Sequence, residues 1–325
     1  MKPLKIPRLL KLKISSLSPK PLVKGREALG LDNRSAITLF ATVESPLEET
    51  KILGEPELED ILSRTAWGFF EANREALARE LNLEPLDLLL GDARIVGLRL
   101  NKKELGGDEE FWASLSKPIG SLKLKFCFSF VKRGAAPEEA LAYEPGGLRA
   151  YLVNEQAKTG EIVYIETNNE STSVYHAESS GLLRLNSFDW GLKTIIQSLG
   201  GLLTDDEEIN NSIYLRYIEN EVSPSIKKRL DGVFDKVFGT FVNGAAMSAQ
   251  ELISKRDLLP PVYFFSHFPM PTRIFRRKVS FLSKEVKLRP VSAIDPVTDF
   301  LNYEKVLAFE GLSRMALKKI KWLMA

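Results

Sequence analysis

Cysteine is almost missing from this chain. Of 325 residues only Cys127 carries a thiol, so no disulfide can close within the chain, and the composition suits a reducing cytoplasm. Cys127 sits in Lys125-Phe126-Cys127-Phe128, a setting that reads as a small buried hydrophobe rather than a nucleophile. Histidine is nearly as scarce, with two residues. His176 falls in a strand pattern and His267 in a loop, no elbow motif surrounds a serine, and no cluster has metal-ligand spacing. No catalytic residue is therefore expected. A dominant charge is lacking too: 45 Lys and Arg face 43 Asp and Glu, a formal +2, too little to favour nucleic acid as a partner. No apolar run approaches the ~20 residues of a membrane-spanning helix. Internal repeats and low-complexity tracts are absent. What remains is a globular chain with 44% hydrophobic content, long enough for two domains.

Charge is nevertheless uneven along the chain. Lys2, Lys5, Arg8, Lys11, Lys13, Lys20, Lys24 and Arg26 precede the first acidic residue, Glu27. Pro3, Pro7, Pro19 and Pro21 interrupt any continuous helix there, and the segment has no signal-peptide pattern. Residues 1–27 are expected to be a basic arm. It reads either as a solvated, partly disordered tail or as a contact for anionic lipid through Lys2, Lys5, Arg8, Lys11 and Lys13, each basic residue gaining ~1 kcal/mol near such a surface.

The most informative stretch is Glu161 to Gly191. Ile162 to Ile165 is a β-rich run that stops at Glu166, and Thr172 to Ala177 forms a second strand. The hairpin tip is expected at Thr167-Asn168-Asn169-Glu170. A third strand follows at Leu182 to Leu185, and Asp189 stands where a helix N-cap belongs, ahead of Leu192, Ile195, Ile196 and Leu199.

This unit resembles the second phosphate loop of the actin-like ATPases, and the wider match is to the cell-division protein FtsA and its relative in pilus assembly, PilM. The resemblance implies an α/β, actin-like (ribonuclease H-like) fold with an FtsA-type inserted subdomain. Residues 28–147 would be the remnant of a first actin-like domain with the insert, and residues 148–325 a second domain carrying the hairpin. Gly30-Leu31-Asp32-Asn33-Arg34-Ser35 looks like a first phosphate loop, but Arg34 stands at a family glycine. Ala36 to Val43 instead resembles a later strand leading to the insert, so the chain is expected to be shortened at its N-terminus and to lack that loop.

The other elements fall in order. Pro56 suits a helix N1 position, and Leu58, Ile61, Leu62, Thr65, Phe69, Ala72 and Ala76 form an apolar line after it. Leu86 to Leu90 and Ile95 to Leu100 read as two extended segments separated by Gly91-Asp92-Ala93-Arg94. Gly106 to Glu110 reads as a flexible acidic loop. Leu122 to Val131 is a long strand with Leu122, Leu124, Phe126, Phe128 and Phe130 on one face. A short helix is expected over Leu148 to Ala157. Ser223-Pro224 opens a helix with a stripe of Ile226, Leu230, Val233, Phe234, Val237 and Phe241. Val262 to Phe265 is a buried strand that, by resemblance, leads into an adenosine loop at Ser266-His267-Phe268-Pro269. The last segment, Met315 to Ala325, is amphipathic and is expected to pack on the domain rather than to bind membrane.

By resemblance, Glu166, Asn168, Asn169, Ser171, Thr172, Ser266 and His267 would hold ATP and Glu166 a magnesium ion. The residues themselves argue against efficient hydrolysis. Asn168 and Asn169 replace glycines and keep phosphate from the backbone. Glu170 faces the phosphates with like charge, at about 4 kcal/mol for ~4 Å and an effective dielectric of ~20. The expected function is an FtsA-like cytoplasmic adaptor, with an FtsZ-like protein, other copies of itself and the inner face of the membrane as implied partners. The alternatives are a PilM-like platform, binding a peptide in a groove between the Pro56 helix and the Leu122 strand, and an ATP-binding enzyme.

Overall fold

The computed structural model describes residues 28–45, 52–116, 118–137, 140–200, 204–282 and 284–324. The basic arm, with Lys2, Lys5, Arg8, Lys11 and Lys13, lies outside the described residues. In chain order the first part holds strands β1 (Ala28–Gly30), β2 (Ala36–Ser45), β3 (Leu88–Leu100), β4 (Lys103–Leu105), β5 (Leu122–Lys132) and β6 (Leu141–Tyr143). Its helices are α1 (Glu55–Glu80), α2 (Asp108–Ser114) and α3 (Pro145–Ala157). Next come β7 (Glu161–Thr167), β8 (Thr172–Glu178), β9 (Gly181–Phe188), α4 (Leu192–Gly200), α5 (Glu207–Ile218), α6 (Pro224–Ser248), α7 (Gln250–Ser254), β10 (Val262–Ser266), β11 (Lys278–Phe281) and β12 (Lys284–Pro290). Helices α8 (Pro296–Leu301), α9 (Glu304–Ala308) and α10 (Glu310–Met324) close the chain. No described helix is long and apolar enough to cross a membrane.

Two contact-dense units result. One comprises Gln156–Ala177 and Arg184–Ala293; the other comprises residues 28–155, Glu178–Leu183 and residues 294–324.

In the first unit the strands run β11-β12-β10-β7-β8-β9 across the sheet. β10 pairs in parallel with both β7 and β12. β8 and β9 follow β7 through turns too short for anything but antiparallel neighbours. Numbering β7, β8, β9, β10 and β12 from one to five gives the order 3-2-1-4-5, with the meander first and parallel strands after it, which is the ribonuclease H-like arrangement. One face of this sheet buries Val163, Ile165, Val174, Val262, Phe264, Val286 and Leu288 against Ile195, Phe234, Phe238 and Phe241 of α4 and α6. Ser223 caps α6 as expected, with Pro224 at its first position. Of the expected stripe, Ile226 departs: it is exposed, because the first turn of α6 extends past the sheet-facing core that begins at Leu230.

The second unit has a sheet β2-β5-β3-β4, all antiparallel, and a two-stranded parallel pair of β1 and β6. Leu122, Leu124, Phe126, Phe128 and Phe130 are fully buried on one face of β5. Cys127, on the other face, is fully buried too, and that burial pushes its thiol well above the usual range. Helix α1 lies on the phenylalanine face. Phe69 stacks on Phe128 at 4.4 Å and Phe70 on Phe130 at 5.7 Å, so the groove expected between α1 and β5 is filled by aromatic rings. Pro56 stands second in α1, after Gly54 as N-cap and Glu55. The buried line steps through Leu58, Leu62, Ala66 and Phe70. Steps of four drift by about 40° each around a helix of 3.6 residues per turn, which leaves Ala72 and Ala76 exposed.

Three expectations are corrected here. Residues 88–100 form one strand, with register shifts at Leu90/Asp92 and Ile95/Gly97 instead of a break; bulges absorb the polar residues without ending the ladder. The acidic loop is helical from Asp108, and the Asp108 carboxylate accepts from the amides of Gly311 (2.6 Å) and Leu312 (3.3 Å) at the start of α10. Burial raises the Asp108 pKa, only partly opposed by these bonds. Helix α3 begins three residues early, because Glu144 and Thr38 exchange hydrogen bonds: Thr38 N to Glu144 Oε2 at 3.0 Å and Glu144 N to Thr38 Oγ1 at 2.8 Å. Of the last segment, Met315, Ala316 and Leu317 pack on the core of this unit, while its side chains from residue 319 onward lie outside the described residues.

The bulged part of β3 holds a buried charge network. Arg94 Nε donates to Asp92 Oδ2 at 2.7 Å and to Tyr143 Oη at 2.8 Å, Arg94 Nη1 donates to Glu310 Oε2 at 2.8 Å, and Tyr143 Oη donates to Asp92. Burial pulls the Arg94 guanidinium down, but Asp92, Tyr143 and Glu310 outweigh it and raise its pKa. Removing one partner of such a pair leaves a buried charge uncompensated. Arg94→Met is expected to destabilise the protein by about 3–5 kcal/mol, measured by urea unfolding; a change within experimental error would show that this network does not hold the unit together.

Candidate functional site

The hairpin of β7 and β8 carries the expected residues, with its tip displaced by one position. β7 runs through Glu166 and Thr167, so the tip is residues 168–171. Asn168 N donates to Ser171 O at 2.9 Å, and the Asn168 side chain folds back: its Oδ1 accepts from the amides of Glu170 and Ser171, both at 2.8 Å. This is an Asx turn, in which a short polar side chain takes the amides that a glycine-rich tip would leave open. Glu170 is exposed.

The helix after the hairpin begins later than expected. Asp189 is not its cap; α4 starts at Leu192. The first amides of a helix lack intrahelical partners and carry a partial positive charge, which makes them an anion site by default. Here Leu192 N donates to Asn168 O at 3.3 Å and Lys193 N to Asn169 O at 2.9 Å. The two asparagine carbonyls therefore cap α4. Gly191 permits this approach: a Cβ there would lie 2.3 Å from Asn168 O and 2.6 Å from Asn169 O.

Thr172 is drawn into the core. Its hydroxyl donates to Trp190 O at 2.8 Å and lies 3.0 Å from Thr167 Oγ1, and both threonines are fully buried. The Trp190 indole in turn donates to Val237 O of α6 at 2.9 Å. Ser171 is buried as well, with its Oγ 3.4 Å from Asn168 Oδ1.

Glu166 and His267, 101 residues apart, meet. His267 Nε2 lies 2.7 Å from Glu166 Oε1, and Tyr164 Oη donates to Glu166 Oε2 at 2.7 Å. The His267 amide donates to Thr167 O at 3.0 Å, extending the β7–β10 ladder by one bond. Ser266 does not join this group: its Oγ donates to Phe268 O at 2.6 Å. Tyr164, Thr167, Trp190 and Gly191 were not among the site residues expected from sequence, although Thr167 stood in the expected tip. Alternation places Tyr164 on the Glu166 face, and a glycine immediately before a helix that follows a hairpin is the signal for close backbone approach.

At the other end of β7, Glu161 accepts from His176 Nε2 at 2.5 Å and from Arg256. Partial burial pushes the Glu161 carboxyl up, yet these two hydrogen bonds and the Arg256 charge hold it below the usual range.

No protein-family model matches the sequence, and no curated protein does either. Among solved structures the chain is similar to the PilM-PilN type IV pilus biogenesis complex, with 13% identity over 91% of this chain and 78% of that one, at a TM-score of 0.48. It is also similar to the ethanolamine utilization protein EutJ from Carboxydothermus hydrogenoformans: 16% identity, 51% and 57% of the two chains, TM-score 0.34. An archaeal actin homolog gives 10% identity, 57% and 58%, and 0.35. Likenesses this slight do not define the fold, which rests on the strand order of the first unit. The chain has a mixed α/β fold whose first unit carries the ribonuclease H-like strand order.

Two outcomes follow from this geometry. Gly191→Ala is expected to push the tip off α4, lowering stability by about 1–3 kcal/mol and accelerating hydrogen exchange at the Leu192 and Lys193 amides; unchanged exchange there would mean the tip is not the cap. A carboxyl whose folded pKa is depressed stabilises above its ordinary value, 4.5 for Glu161, and loses that contribution as pH falls through the folded value. The stability gap between wild type and Glu161→Gln is therefore expected to be full near neutrality and to shrink on acidification, as followed by denaturant titrations at a series of pH values.

Proposed function

We propose that this chain is an actin-like scaffold that works by protein contact in membrane-associated assembly, without nucleotide turnover. The observation that carries the reading is that most of the amides of this hairpin tip and of the helix after it are already used within the chain. The amides of Asn168, Glu170 and Ser171 at the tip, and of Leu192 and Lys193 at the helix, all have internal acceptors. Both oxygens of Glu166 accept hydrogen bonds from Tyr164 and His267, where an actin-like ATPase would need an acidic group directed at metal-bound water. Magnesium and a triphosphate do not fit this donor set. To admit them, the Asx turn would have to open and α4 lose its cap, at the expense of bonds worth about 0.5–1.5 kcal/mol each.

Without the nucleotide, the fold is left with its surfaces. The resemblance to FtsA and PilM names the kind of assembly: an adaptor in a division complex containing an FtsZ-like protein, or a platform for a pilus protein. Isolation of partners by co-purification separates the two.

Thermal unfolding with and without Mg-ATP tests the central claim. A ligand at one hundred times its dissociation constant stabilises by about 2.7 kcal/mol. No shift at millimolar nucleotide is the expected result. A shift of that size, abolished by Glu166→Ala, would overturn the reading in favour of an ATP-binding enzyme.

A further inference from the structure

Positive charge gathers at a place that the scaffold reading leaves without a role. Between Thr272 and Arg289 seven Lys and Arg stand against a single acidic residue, Glu285, in a chain whose total is only +2. Part of this charge is structural. Arg273 and Arg277 pair with Asp231 and Asp235 of α6, and Lys284 Nζ donates to the Ile253 and Arg256 carbonyls near the end of α7. Arg289 lies over the Tyr263 ring at 5.6 Å and donates to its hydroxyl at 3.4 Å. The rest faces outward from the hairpin of β11 and β12, of which β11 is the sheet edge. Val279, Phe281, Val286 and Leu288 point into the core, so alternation turns Lys278, Lys287 and Arg289 to the surface, where all three are exposed. Arg276, just ahead of the hairpin, is exposed as well.

Two features of this face work against the stability of the chain itself. Lys278 stands directly opposite Lys287 in the antiparallel register, and like charges in such a pair repel. Glu285 reaches Lys278 at 2.7 Å, while Lys287 makes no ion pair among the described residues. At the turn, Leu282 has φ 56°, the left-handed region in which glycine or asparagine is favoured and leucine is strained. Its side chain is nonetheless 47% exposed.

An exposed aliphatic tip at one end of a hairpin whose outward face is basic matches the boundary of an anionic bilayer, where apolar groups enter the headgroup region and each Lys or Arg adds attraction. Nucleic acid offers the same charge but takes an aliphatic tip only by unstacking a base step. The aromatic ring that would stack on bases is turned the wrong way, with Phe281 only 1% exposed. We propose that the β11–β12 hairpin docks on an anionic phospholipid surface, with Leu282 entering the interface and Arg276, Lys278, Lys287 and Arg289 on the headgroups. This site is independent of the nucleotide reading.

The full chain would be sedimented with vesicles of phosphatidylcholine alone and of phosphatidylcholine mixed with phosphatidylglycerol. Binding is expected only to the mixture, weakening with salt. Lys287→Glu is expected to lower the partition coefficient by at least about fivefold, the factor that one basic residue contributes. Leu282→Asn should also lower it while leaving the melting temperature unchanged or raised, since asparagine suits the turn; this variant keeps the test decisive should Lys287→Glu fold poorly. The proposal is overturned if the wild type ignores phosphatidylglycerol. It is equally overturned if binding survives both substitutions, which would assign it to another segment, or if an oligonucleotide but no vesicle is retained.

Discussion

A helix that starts inside a protein must find acceptors for its first amides. In this chain α4 finds them in the carbonyls of Asn168 and Asn169, and the chemistry of the hairpin follows from that one requirement. The carbonyls can come close only because residue 191 is glycine. The tip that presents them is shaped by the Asn168 side chain, which takes two amides of its own turn. Behind it, Thr167 and Thr172 converge on the Trp190 carbonyl, and the Trp190 indole ties the group to α6. The hairpin tip is thus an internal joint of the unit.

The other unit meets a related demand with charge. Asp92 is fully buried, and its Oδ1 has no hydrogen-bond partner among the described residues. Its compensation comes from Arg94 and Tyr143, and Glu310 balances Arg94 from α10. Around this group, Ser313 Oγ accepts from Ile95 N at 3.0 Å, and Asp108 caps the first amides of the same helix. Buried ion pairs add little net stability over well-packed apolar groups. Their effect here is positional: β3 can bulge where it does because Asp92 and Arg94 have fixed partners.

Elements whose periodicity is strong were legible from sequence. The phenylalanine face of β5, the Ser223-Pro224 start of α6, the β7–β8 hairpin and the buried strand at Val262 all follow from alternation, capping chemistry or apolar runs. Misreadings came where tertiary partners override local signals. Gly91-Asp92-Ala93-Arg94 looks like a turn because nothing nearby in sequence reveals that Tyr143 and Glu310 will neutralise its charges. Asp108 looks like part of a loop because the amides it caps lie 203 residues away. Within the candidate site, residue identities put asparagines where the resemblance implied glycines. They did not show where the hydrogen bonds went instead, since a pairing such as Glu166 with His267 exists only after β10 has joined β7.

The interleaving of the two units bears on how the chain assembles. Val163 of β7 and Val262 of β10 are neighbours in the central parallel ladder although 99 positions separate them, and parallel pairs of this reach close slowly. The unit built on β2, β3 and β5 waits longer still, because Arg94 meets Glu310 only when residue 310 has left the ribosome. Throughout most of synthesis the α10-facing side of its core lies open, and β3 carries charges without their final partner. Such a chain is exposed to premature association in proportion to that delay, so α10 acts as a late seal on this core, closing it only after everything before it has been made.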